Sequence, residues 1–117
     1  MRVTAREFDA LVERALARIP RRFRRRLDNV AFTVEQDPPR PGLLGLYQGR
    51  PLTHRSVSDG FVLPDKITIF QSTHERLARD YEELEKLVYE TVWHEVAHYF
   101  GMDERQVRAA EARRRLL

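Results

Sequence analysis

The feature that most constrains this chain is a run of helical periodicity across residues 81–100. Tyr81, Leu84, Val88, Val92, Val96 and Tyr99 recur three or four apart, which lays one continuous apolar stripe along an α-helix. Gly101 follows, and a glycine there suits a left-handed helix end. The remaining segments must supply the surface that covers this stripe. Thr4 and Glu7 form a capping-box pattern ahead of Phe8, Leu11, Val12, Ala15, Leu16 and Ile19, predicting a first helix. Pro20 predicts the start of a short second helix. Val30–Gln36 is β-branched and aromatic enough for a strand, and Leu43–Tyr47 suggests another. Lys66–Gln71 alternates as a third strand. Ser72 with Glu75 repeats the capping pattern and predicts a short helix over 72–79. Asp103 with Gln106 does so again, for a last basic helix reaching Leu117. Residues 48–62 carry no periodicity and read as a long surface loop. The order predicts an α+β fold, a short β-sheet packed with helices, as a single domain over 1–117.

Composition narrows the class. Hydrophobic residues make up 42% and charged residues 33% of 117, the balance of a soluble globular domain. No apolar run is long enough for a bilayer and MRVTAREF lacks a signal-peptide core, so no membrane is expected and the default location is cytoplasmic. With no cysteine, disulfides and thiolate metal sites are excluded.

The long helix carries His94, Glu95 and His98 in the pattern His-Glu-x-x-His. Histidines one turn apart project from one face and can hold a single ion, while Glu95, about 100° further round, can reach a water on it. An ion there lowers that water's pKa to near ~7 and the glutamate accepts its proton, the chemistry of a general base in hydrolysis. The uncharged neighbours Thr91, Val92, Val96, Ala97, Tyr99 and Phe100 fit a metal helix set against a core. A plain core reading leaves two histidines and a glutamate on one buried face without a positive ion, which is costly. Two histidines need a third ligand. Counting from His94, position eleven is Glu104, and Gly101 allows the chain to turn and bring it back. Only Glu111 follows as a more distant acid, and no methionine follows Met102, which argues against other arrangements of this motif.

The stretch His94–Glu104 resembles the signature His-Glu-x-x-His-x-x-Gly-x-x-Asp of the minimal zincin-like metallopeptidases, a bacterial family. The resemblance extends to LDNVAFTVE, LGLYQGRPLT and VLPDKITIFQ, and so covers most of the chain. It implies a compact zincin-like fold, a Zn2+ ion and peptide-bond hydrolysis, with a peptide or protein as the partner. The family's aspartate is replaced here by Glu104, with Asp103 one place early. Spacing favours Glu104; Asp103 is the alternative ligand, although its capping pattern with Gln106 gives it a structural task. The expected site is therefore His94, His98 and Glu104 on the metal, with Glu95 as the catalytic base. A catalytically silent scaffold that binds metal is the rival reading.

Other signals are weaker. His54 and His74 are candidates for oxyanion or substrate contacts, and Tyr47 and Tyr89 for proton donation, each set against an ordinary surface or packing role. Arg21–Arg26, five arginines around Phe23, offers phosphate contacts. A solvated helix face anchored by Phe23 and Leu27 explains it better, so nucleic acid is not the expected partner. Ile67–Phe70 is a candidate edge strand for pairing with an extended substrate.

Overall fold

The computed structural model describes residues 1–49 and 64–101, together with Arg105 and Ala109. Helix α1 spans Ala5–Arg18. Its capping box is formed in both directions: Glu7 N–H donates to Thr4 Oγ1 at 3.1 Å, and Thr4 N–H to Glu7 Oε1 at 3.0 Å. That reciprocal bonding satisfies two otherwise orphaned donors and holds the Glu7 carboxyl below its ordinary pKa. Ile19 closes α1 and is itself core, 1% exposed. Helix α2, Arg21–Arg24, follows with Pro20 at its N-cap.

Three strands, β1 (Val30–Glu35), β2 (Gly45–Gln48) and β3 (Asp65–Phe70), form one sheet in the order β1-β3-β2. β1 runs parallel to β3 from Val30↔Asp65 to Glu35↔Phe70, and β2 runs antiparallel from Gly45↔Ile69 to Gln48↔Lys66. The expectation that Ile67–Phe70 forms an edge is therefore wrong. β3 is the central strand, bonded on both sides, and Ile67–Phe70 are all buried. Its polar member Thr68 meets Thr33 of β1, hydroxyl to hydroxyl at 3.0 Å, as a buried polar group must.

Helix α3 (Gln71–Leu77) leaves β3 without a break, with Phe70 at its N-cap and no side-chain cap. The expected Ser72–Glu75 capping box is not formed, because Glu75 is drawn elsewhere. Its carboxylate accepts from Val3 N–H at 2.9 Å and from Gln71 Nε2 at 3.1 Å, tying the lead-in of α1 to α3. Helix α4 (Tyr81–Tyr99) starts at Asp80, whose Oδ1 accepts from Glu83 N–H at 2.8 Å. It ends through Phe100 and Gly101, whose φ of 77° is the left-handed conformation expected there.

α4 is the spine of the molecule. Leu84, Val88, Val92 and Val96 are fully buried, and they share one core with Phe8, Leu11, Val12 and Ala15 of α1 and with Ile67 and Ile69 of β3. The architecture is α+β, as expected. Residues 50–62 of the predicted loop lie outside the described residues, and of the predicted last helix only Arg105 and Ala109 are described, both helical. No described helix is long and apolar enough to cross a membrane.

Candidate metal centre

The burial pattern of α4 separates two tasks. Val96 and Ala97, between the histidines, face the core at 0% and 2% exposure, so His94 and His98 are left on the half-buried margin of the helix. Their rings lie edge to face with centroids 4.6 Å apart. Glu95 is 6% exposed, and its Oε1 stands 3.4 Å from His98 Nδ1. One donor atom from each of the three lies within 4.8 Å of the others. The expected trio of His94, Glu95 and His98 is therefore brought together. Glu104, Asp103 and His54 lie outside the described residues.

Two imidazoles and a carboxylate at this separation are a donor set that suits zinc, which takes nitrogen and oxygen ligands at about 2 Å. The same set is poor in thiolates and in clustered oxygens, the preferences of copper(I) and calcium respectively.

Sequence reading missed what holds Glu95. Gly45, the first residue of β2, lies against it: a Cβ at Gly45 would stand 3.1 Å from Glu95 Cγ, 3.0 Å from Thr91 Cγ2 and 3.3 Å from the Thr68 carbonyl oxygen. Those separations are tighter than ordinary contacts, so a larger residue at Gly45 would make Thr91 and Glu95 give by a few tenths of an ångström. Within LGLY nothing marks Gly45 as different from a turn glycine.

Thr91, one turn before Glu95, is fixed from the opposite side by His74. That histidine is completely buried. Its Nδ1 lies 2.7 Å from the Phe70 carbonyl and its Nε2 2.8 Å from Thr91 Oγ1. Burial pushes its pKa down, against the opposing effect of the Phe70 carbonyl. A neutral ring protonated on Nδ1 donates to Phe70, and its bare Nε2 shares the single Thr91 hydroxyl proton with the Leu87 carbonyl, to which that hydroxyl donates at 3.0 Å. His74 is thus a core residue and makes no substrate contact. Tyr89 is also core: it is 4% exposed, with the Arg18 guanidinium 4.0 Å over its ring. The Tyr47 hydroxyl donates to Asp65, and its ring meets Tyr99 edge-on.

The arginine cluster is anchored as expected. Phe23 packs edge-on against Trp93 and Phe100, with centroids 5.3 and 5.5 Å away, while Leu27 is partly buried. Arg22 and Arg26 lie over the Phe23 and Phe100 rings, and the five guanidinium-bearing residues of Arg21–Arg26 are exposed.

With this fold and this histidine pair in place, comparison with known proteins gives a consistent answer. Residues 27–114 match the zincin-like metallopeptidase family, and the chain belongs to it. It is also similar to the solved structure of a conserved hypothetical protein from Thermo thermophilus, at 29% identity and a TM-score of 0.56, over 84% of this chain and 94% of that one. No curated protein matches the sequence.

Proposed function

We propose that the chain is a zinc-dependent peptidase in which His94, His98 and Glu104 hold the ion and Glu95 is the general base. The observation that carries this reading is the cluster of His94, Glu95 and His98 donors within 4.8 Å on one helix, in a member of a metallopeptidase family. When bound, zinc would supply a Lewis acid to polarise the scissile carbonyl and acidify a water. Glu95 takes that water's proton on a carboxylate oxygen and passes it to the leaving amine. Its burial at 6% exposure keeps the carboxylate in a fixed place, so little reorganisation accompanies the transfer.

The strand that serves an extended substrate is β2 rather than β3. β2 is packed beside α4 and is an edge strand of the sheet among the described residues, a position that supports strand addition.

Zinc content and cleavage of a mixed peptide library, read together by mass spectrometry, test the proposal. Wild type is expected to hold about one zinc per chain and to cleave. Glu95→Gln should keep the metal and lose about a hundred-fold or more in rate. Zinc bound by a wild type that cleaves no peptide would favour the silent scaffold. Zinc binding that survives His94→Ala would overturn the site.

A further inference from the structure

Arg21, Arg22, Arg24, Arg25 and Arg26 are exposed, and among the described residues none of them forms an ion pair or a side-chain hydrogen bond. Arg22 and Arg26 lie over the Phe23 and Phe100 rings, 4.9 and 5.9 Å from their centroids, which spends none of their N–H donors. The charges are unneutralised, and some oppose the fold. Arg25 N–H bonds the Arg21 carbonyl at 3.0 Å, which sets two like charges one turn apart. α2 also has no side-chain cap and no acid in its first turn. The segment is nevertheless fixed to α4 at two points. Phe23 packs edge-on against Trp93 and Phe100. The buried Tyr99 hydroxyl accepts from Asp28 N–H at 3.3 Å and lies 3.2 Å from the Asp28 carbonyl.

Those anchors decide where the charges stand. His94 follows Trp93 directly, about 100° further round α4. The arginine segment and the histidine pair therefore flank the same turns of one helix, separated by about one helix diameter, roughly 10–12 Å. About three or four residues of extended chain cover that distance. Tyr99 also meets the Tyr47 ring of β2 edge-on, with centroids 6.4 Å apart, so one residue of α4 touches both the strand and the arginine segment.

Two observations choose the partner. The ring of Phe23 is spent inward on Trp93 and Phe100, and the exposed large hydrophobics among the described residues are Met1, Leu77 and Tyr81. No exposed aromatic thus stands in the patch to stack a nucleic-acid base. The chain also carries 18 acidic residues against 21 basic ones. A long polyanion would meet repulsion away from the patch, whereas a short acidic segment feels only charges within a Debye length of about 8 Å. Carboxylates pair well with guanidinium forks.

We infer that Arg21–Arg26 is a docking surface for an acidic segment of the polypeptide substrate, beginning about three or four residues from the scissile bond. The inference rests on the peptidase reading and adds a substrate class to it.

The test compares two peptide hydroxamates, which chelate zinc, each with a triglycine spacer followed by a run of either glutamate or glutamine. Their binding to the zinc-loaded protein is measured by calorimetry at low salt. The glutamate compound is expected to bind about tenfold more tightly, the sum of several individually weak exposed ion pairs, and about 0.5 M salt should remove most of that advantage. In the triple variant Arg21→Gln, Arg22→Gln, Arg25→Gln the two compounds should agree within about twofold, with the glutamine compound bound as in wild type. Arg24→Glu, a single exposed change, should reduce the advantage as well and stands in if the triple variant fails to fold. Equal binding of the two compounds by wild type, or an advantage that survives the arginine changes, overturns this inference alone. Tighter binding of a short single-stranded DNA than of the glutamate compound, lost in the triple variant, also overturns it, in favour of nucleic acid. Failure of both hydroxamates to bind overturns the metal reading and this inference with it.

Discussion

Gly45 and Glu95 are packed backbone against side chain, so closely that a single Cβ on Gly45 would stand 3.1 Å from Glu95 Cγ. The strand and Glu95 therefore cannot be adjusted independently. Gly45→Ala is expected to push Glu95 out of place and to slow peptide cleavage by about ten- to a hundred-fold, with zinc content unchanged. Overpacking should also cost about 1–3 kcal/mol of stability, measurable by urea unfolding. Full activity with an added methyl would show that Glu95 is not held by this contact.

The third ligand is decided by metal content. Glu104→Ala should lower zinc affinity by at least an order of magnitude, whereas Asp103→Ala should leave zinc bound and cost about 1 kcal/mol through loss of a helix cap. The reverse pattern would move the ligand to Asp103. Treatment with a chelator should abolish cleavage in wild type, and added zinc should restore it.

His74 makes stability depend on pH. Its folded pKa is lowered by burial from an ordinary value of about 6.5, so the unfolded chain takes up the proton first. The contribution is fully present above about pH 6.5 and is lost as pH falls below that, towards the lower folded value. Urea unfolding of metal-free protein between pH 8 and 5 should show this loss, and His74→Gln should flatten the profile. Parallel profiles for the two proteins would show that His74 is not the source of the dependence.

Phe23 joins the arginine segment to α4 through the sole tryptophan, Trp93, the residue before His94. Phe23→Ala should destabilise the protein by about 2 kcal/mol, a half-buried aromatic losing its ring contacts, and should shift Trp93 emission to longer wavelength. Converting Arg21, Arg22 and Arg25 to Gln should change stability by no more than about 0.5 kcal/mol, since these side chains are exposed.

What could be read from the sequence was local. The capping box at Thr4 and Glu7, the α4 stripe and the left-handed Gly101 each depend on residues within a few positions, and each is found. The same holds for His94, Glu95 and His98, because helix geometry alone brings them together. Misreadings arose where a distant partner intervened. Glu75 matched a cap motif, but Val3, far away in sequence, takes its carboxylate. His74 had no periodic neighbours to show that it is buried, and Gly45 matters only because a helix from the other end of the chain lies against it. Strand alternation in KITIFQ gave the strand but not its place in the sheet, which is set by pairing across long stretches of chain.

The strand order has a kinetic consequence. β1 and β2 precede β3 in the chain, yet neither bonds to the other; each pairs with β3 alone. A growing polypeptide that has not yet reached Asp65 thus has two strands with nothing to join them. During synthesis β1 and β2 are therefore expected to gain their sheet partner only when the central strand emerges and joins both flanks. α3 follows that strand immediately and α4 soon after. The sheet and the helix bearing the histidines are therefore expected to consolidate almost together, once that strand is in place.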